Sequence, residues 1–480
     1  MTGQKAAACG AIGEKEKTIL ALADGIWSTP ELSLQETRSA ALLCDALRSE
    51  GFSVEEGVCA IPTAFAASFG SGSPRIGILA EYDALSGLSQ RGGALEHAPL
   101  VPNGNGHGCG HNLLGAGAFA AAVGIKAFLE TSGRSGTVIL YGCPGEEGGA
   151  AKAFMARDGL WRSLDAALTW HPDPCNEVFT SSTNACIQTQ YTFHGVASHA
   201  SAAPEQGRSA LDAVELMNVG VQFLREHMGV RSRVHYAVTD AGGRSPNVVQ
   251  AKASVLYMVR SDKVREAIAL QARVDDIAQG AALMTGTKCE KKFIDGLSEM
   301  LSNPVLERVL YDNFKALGVP QYGAEELDFA DRLAATYGGA NALPGIAAQY
   351  DAACAEEVAA QKAARPHAMN DFLMPFWQGA AFEAGSTDVG DVSYLCPAAQ
   401  IHVAAWPDGC PGHSWQVVSC GTTPIAHKAV LHAGKVLACA AIDLFTDEKT
   451  LAQVREAFEA QTAGGYVCPI PPDAVPTVAD

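Results

Sequence analysis

Residues Gly104-Asn105-Gly106-His107-Gly108-Cys109-Gly110-His111-Asn112 set a thiol and an imidazole on either side of one glycine, inside a glycine-rich turn. Thiolate and imidazole are ligands for zinc-type ions. Glycine lets the backbone bend tightly enough for both side chains to converge on one point. Residues 113–129 follow, rich in Ala, Leu and Phe and free of Pro. A helix is therefore expected from about Asn112, with Asn as its N-cap. On these residues alone, the competing reading is a turn with an incidental thiol and histidine.

Other stretches offer the rest of a metal shell. Residues 136–141 read as a buried strand that runs into Gly145-Glu146-Glu147-Gly148. Of two adjacent carboxylates at a strand end, one can ligate metal while the other acts as a base; the alternative is a solvated acidic turn. Residues 166–172 form a second apolar strand, ending on His171. A third strand, 76–81, runs into Asp83, a candidate to orient a ligand histidine. Open α/β sheets place their sites at strand C-termini. A late tight turn, 409–415, carries His413. Cys109, His111, Glu147, His171 and His413 together make a ligand set for two metal ions.

These residues need a scaffold. Residues 15–27 and 35–51 read as amphipathic helices, and 52–55, 64–69 and 76–81 as strands. From 115 to 174, helix alternates with strand, the signature of βαβ units and a parallel sheet. The character changes near Cys186. Strand 188–194, helix 209–227, strands 234–239 and 253–261, helix 263–285 and a last strand make a compact α+β unit. The expected division is a catalytic domain over 1–185 and 301–480, interrupted at 186–300 by a lid or dimerisation domain. Helices are expected at 303–316 and, as the terminal element, at 425–445. Residues 320–371 read as irregular, and 385–393 as a glycine- and acid-rich loop.

The composition narrows the function classes. A formal net charge of −18 over 480 residues argues against nucleic acid and anionic membranes as partners. No secretory signal and no apolar run of membrane-spanning length is read. The 14 cysteines are scattered without a Cys-x-x-Cys pair, as for reduced thiols in a cytoplasm.

The order Glu81-Tyr82-Asp83, Gly106 to Asn112, Glu146-Glu147, His171, Ser198-His199-Ala200 and His413 resembles the metallopeptidase family of aminoacylases, carboxypeptidase G and hippurate hydrolase, in its branch with Cys in the metal motif. The resemblance runs nearly end to end. It implies an α/β zinc-peptidase-like catalytic domain with a central mixed sheet, and an inserted α+β lid. It implies two divalent ions per chain, Zn or Mn, held by Cys109, His111, Glu147, His171 and His413, with Glu146 as general base. His199 would act as a donor over the neighbouring subunit's site in a homodimer formed through the lid. Asn247, Arg260 and Ser386 would bind substrate, Arg260 gripping an α-carboxylate with its planar fork. Trp170 and Trp406 are candidates to pack on an aromatic acyl group, or simply core. The implied reaction is hydrolysis of an amide in an acyl-amino acid such as p-aminobenzoyl-glutamate, with a related A-type subunit as a possible partner. A dipeptidase, an N-acyl-amino-acid deacylase and a non-catalytic regulatory subunit stay open beside it. One departure is Asn112, where many members of the branch carry Asp.

Overall fold

The structure, a computed structural model, describes residues 2–339 and 343–478. The chain opens on α1 (Gly3–Glu14), α2 (Glu16–Trp27) and α3 (Thr37–Ser49). The last two match the expected helices. α1 escapes a periodicity reading because only Ala8 and Ile12 of it are buried, which leaves no apolar stripe.

The next stretch builds most of the main sheet: β1 (Ser53–Glu56), β2 (Phe65–Ser71), β3 (Arg75–Ala80), α4 (His111–Ser132), β4 (Gly136–Gly142), α5 (Ala151–Arg157), β5 (Ala166–Asp173) and β6 (Glu177–Phe179). A second unit follows with β7 (Ala185–His194), α6 (Ala210–Arg225), β8 (Arg233–Asp240), β9 (Lys252–Ser261), α7 (Val264–Thr285) and β10 (Lys288–Leu297). The chain then returns to the first body with α8 (Pro304–Leu317), α9 (Ala324–Ala334), α10 (Ala347–Tyr350), α11 (Ala352–Ala363), α12 (Val389–Ser393), β11 (Ala398–Ala404), α13 (Trp415–Cys420), α14 (Pro424–Thr446) and α15 (Glu448–Gln461).

The main sheet is mixed, in the order β1-β2-β4-β3-β5-β11-β6. Its centre, β4-β3-β5-β11, is parallel. β4 and β11 are buried along their whole length, as parallel strands covered on both faces must be. α4 and α14 pack together over one face. α5 and α12 cover the other, with Phe154, Trp161, Val389 and Val392 in its core. Both α4 and α14 match a membrane span in length and apolar composition, and both are mostly buried inside the protein. The second sheet, β10-β7-β9-β8, is antiparallel throughout. Tyr191, Phe193, Val255 and Tyr257 carry its core against α6 and α7.

Several expectations need correction. α4 begins at His111, not Asn112, and its N-cap is Gly110 at φ 77°. A Cβ at Gly110 would lie 2.8 Å from Pro172 and 2.9 Å from Trp406, so only glycine fits this turn. Asn112 is buried and donates its amide to Gly421 O and Ala23 O. The segment 320–371 is not irregular: α9, α10 and α11 lie in it, and residues 340–342 are outside the described ones. Nor does the helix over 425–445 end the chain, since α15 follows it. β6 and β11 are additions to the strands read from sequence.

Candidate active site and metal centre

The site assembles at the C-terminal ends of the parallel strands. β3 leads into Glu81 and Asp83, β4 into the turn with Glu146 and Glu147, and β5 carries His171 close to its end. The glycine turn before α4 brings Cys109 and His111, and backbone bonding ties it to the late turn: His413 N donates to Gly108 O at 3.0 Å. His413 itself has φ 53°, a left-handed conformation that a non-glycine residue takes at a price in strain.

The donor geometry fits a metal centre. The ligand atoms of Cys109, His111 and His171 lie within 4.8 Å of one another, and so do those of Cys109, Glu147 and His413. Cys109 belongs to both groups, which suits a thiolate shared between two ions. Two of the three imidazoles are oriented from behind. His111 Nδ1 donates to Asp83 Oδ1 at 2.7 Å, and His171 Nδ1 donates to Pro172 O at 2.7 Å. Their Nε2 lone pairs are thereby turned toward the shared point. His111 Nε2 and Glu147 Oε1 are buried and contact Glu81 Oε2 at 3.3 Å and His413 Nε2 at 3.2 Å, without a well-formed hydrogen bond among the described residues. Such atoms need an explanation in a native fold, and a cation is a sufficient one. Burial, then the Glu147 carboxylate, pushes the Cys109 thiol well up. Burial, then His111, holds the His171 imidazole well down and neutral, as a ligand must be.

Glu146 lies between these groups. Its turn is fixed by Glu36, whose Oε1 accepts from Gly145 N at 2.8 Å. Asp83 Oδ2 accepts from Glu147 N at 2.9 Å and secures the next residue. Burial, then the neighbouring charges of Glu81, Glu147 and Asp388, pushes the Glu146 carboxyl well up, toward the affinity a general base needs near neutrality.

Glu81 and Lys152 form a network that sequence reasoning missed. Glu81 Oε2 sits 3.3 Å from His111 Nε2, and its other oxygen is 2.7 Å from Lys152 Nζ. Lys152 is fully buried and also pairs with Asp388. Glu81, His111 and Glu146 form a third group able to hold an ion. Glu81 belongs to the third acidic strand end read from the sequence, but the role there went to Asp83, and a Lys in an alanine-rich helix reads as surface.

The cavity over these residues measures about 980 Å³. Cys109, Glu146, Glu147, His171 and His413 line it together with Arg260 and Ser386. Arg260 Nη1 lies 3.4 Å from Ser386 Oγ, and Nη2 lies 3.1 Å from Met258 Sδ. His199 and Asn247 are not in this cavity. Both are exposed, on adjoining loops joined by the Ala200 N to Asn247 O bond. Trp170 and Trp406 are core: both are buried, and Trp170 Nε1 donates to Leu114 O.

This arrangement of sheet, strand-end ligands and adjacent carboxylates defines a class. Residues 77–464 match peptidase family M20/M25/M40, and the chain belongs to it. It is a metal-dependent hydrolase of amide bonds. Among its relatives, the B subunit of p-aminobenzoyl-glutamate hydrolase from Escherichia coli is 45% identical over 95% of each chain. Xaa-Arg dipeptidase of Mus musculus is 26% identical, over 94% of this chain and 91% of its own. In structure, the aminobenzoyl-glutamate utilization protein of Klebsiella pneumoniae shares the fold at a TM-score of 0.54 and 16% identity, over 87% of this chain and 96% of its own.

Proposed function

We propose that the chain hydrolyses p-aminobenzoyl-glutamate to p-aminobenzoate and glutamate. The observation that carries this is one cavity lined by a metal-type donor set, a carboxyl beside it, and an arginine. The strong likeness to a hydrolase chain named for that substrate supports it. Cys109, His111, Glu147, His171 and His413 would hold two divalent ions, zinc or manganese. When bound, such ions polarise an amide carbonyl and acidify water. Glu146 takes the proton from the attacking water and returns it to the leaving amine. Arg260, with Ser386 beside it, holds the α-carboxylate of the leaving glutamate. The test is product formation by the metal-loaded protein, measured before and after chelation. Hydrolysis should be lost with the metal and return on Zn²⁺ or Mn²⁺ addition. A chain that binds two metals yet cleaves no acyl-amino acid would favour the regulatory reading. A panel in which dipeptides outrun the aryl-glutamate would favour the dipeptidase reading.

Arg260→Ala should raise KM for the acyl-glutamate about ten- to a hundredfold more than for an acyl-amine without a carboxylate, the worth of one charged hydrogen bond. Equal loss on both substrates would make Arg260 structural.

The unit over 186–300 is read as the lid and dimerisation domain, and the active species as a homodimer. β8 is an edge strand with Tyr236 and Val238 exposed, and α6 beside it leaves Phe223 73% exposed. His199 Nδ1 accepts from Ala202 N at 3.1 Å, which leaves Nε2–H as a free donor. Lying outside its own chain's cavity, His199 would serve the partner's site, stabilising the oxyanion, with Asn247 next to it. Mixing inactive Glu146→Gln and His199→Ala chains should restore about a quarter of wild-type turnover, because half the dimers then hold one complete site. No recovery, with mixed dimers shown by sedimentation, would place His199 outside catalysis. A related A-type chain is a further partner, on the strength of the likeness to a B-type one. A cytoplasmic location suits the fourteen cysteines, all of them free.

A further inference from the structure

One wall of the cavity comes from outside the stretch that matches the family. Residues 465–478 lie beyond the matched residues 77–464, yet Val478 lines the cavity. The path of this tail is built in, because it is tied by turns to both units of the fold. Arg265 of α7 donates to Gly464 O at 2.8 Å, and Tyr466 Oη then donates to Asp391 Oδ1 of α12 at 2.7 Å. Val467 packs against Ile187 and Val264 of the second unit, while Ile470 is buried in the core beneath α5 and α12. Arg157 of α5 donates to Ala474 O, and Lys292 of β10 donates to Val478 O at 3.4 Å. Val475 is left 71% exposed, whereas Val478 is half-buried where it meets the cavity.

The register of the second sheet shows which end of a substrate this wall meets. Arg260 pairs with Cys186, and Lys292 pairs with Gln190, four residues further along β7. Arg260 and Lys292 therefore share a face of the sheet, with Met258, Gln188 and Asp295 in the row between them. Asp295 joins that row because a bulge after Phe293 shifts the register of β10, and all three residues line the cavity. At about 3.4 Å per residue and about 4.8 Å per strand, Arg260 and Lys292 stand roughly 17 Å apart at their backbones. A glutamate held by its α-carboxylate at Arg260 has a side chain much too short to cross that span. The acyl group, on the other side of the scissile amide, is the part of the substrate that extends farthest from that carboxylate. We propose, on the hydrolase reading above, that the tail is the end wall of the acyl pocket and that Val478 sets the size of acyl group admitted. A p-aminobenzoyl group ends short of this wall, and a bulky substituent on its aniline nitrogen runs into it.

The test compares kcat/KM for p-aminobenzoyl-glutamate with that for two extended forms. One carries a benzyl group on the aniline nitrogen, and the other carries the same group as an amide on the γ-carboxyl. Any general loss in a variant falls on all three substrates and cancels in the ratio to the parent. In the wild type the N-benzyl ratio should be well below one. Val478→Gly should raise it about tenfold, the scale on which a hydrophobic pocket tells small apolar differences apart, and Val478→Trp should lower it further. The γ-benzylamide ratio should stay within about twofold of wild type in both variants, the range of a contact not made. Val478 lies past the packed part of the tail, so both variants keep the core intact. A wild-type N-benzyl ratio near one, or one unmoved in both variants, overturns the proposal while leaving the hydrolase standing. A shift in the γ-benzylamide ratio alone also overturns it, because the tail would then border the other end of the substrate. Absence of hydrolysis on every substrate instead sinks the hydrolase reading. Calorimetric binding of the three compounds to the three proteins then decides on Val478 by the same ratios.

Discussion

Glu146→Gln lowers turnover by about 10²–10⁴-fold, the usual contribution of a positioned general base, while metal content stays at the wild-type value. The expectation follows from how the residue is held. Its turn is fixed by Glu36 on one side and by Asp83 through Glu147 N on the other, so an amide of the same shape occupies the same place. Gln retains an oxygen toward His111 and Glu81, but it cannot accept a proton. Two measurements on one preparation separate the roles. Steady-state kinetics reports the loss of rate, and elemental analysis reports the ions. If metal is lost in step with rate, Glu146 is a ligand, as its grouping with Glu81 and His111 permits. If the rate is unchanged, another group moves the proton.

Which parts of this site were legible in the sequence follows from local chemistry. Cys109 and His111 were, as candidates, because glycines around a thiol and an imidazole let both side chains converge on one point. Glu147 and His171 were, because one lies in the turn after an apolar strand and the other near the end of one, and the C-terminal edge of a parallel sheet is set by strand direction alone. Lys152, Asp295 and β11 were not. Lys152 is flanked by alanines, and its burial is created by Glu81 and Asp388, some 70 and 236 residues away. Asp295 faces the cavity because of a bulge, which no alternation pattern marks. β11 is short and carries Gln400 and His402 among its apolar residues, and its pairing with β5 and β6 on either side makes it a strand. α10 and α11 were missed for another reason: few of their side chains are buried, so the periodicity that betrays a packed helix is faint, whereas α9 buries Ala330, Leu333 and Ala334 on one face and could have been read.

Lys152→Met is expected to cost about 3–5 kcal/mol of folding stability, the range for breaking a buried ion pair from one side. Lys152 carries the one lysine or arginine charge that bridges Glu81 and Asp388 among the described residues, and both carboxylates are buried. Met replaces the volume of the stem but leaves two acids desolvated without a counter-charge. Burial already holds the Asp388 carboxyl above its ordinary value against the pull of Lys152, and loss of that pull raises it further. The folded variant binds more protons than the unfolded one through that window, so its deficit is largest at high pH and shrinks as pH falls. Denaturant unfolding of metal-free protein at two pH values reads both the size and the sign. Removing one acid as well, in Lys152→Met with Asp388→Leu, should recover much of the loss, because a well-packed apolar pair need not be less stable than a buried ion pair. The double variant should still be impaired in metal uptake. Glu81 would have lost the partner that holds it 3.3 Å from His111 Nε2, and with it the geometry of the ligand cluster. A single variant as stable as wild type would show that water, not Lys152, satisfies these acids, and that the network only orients Glu81.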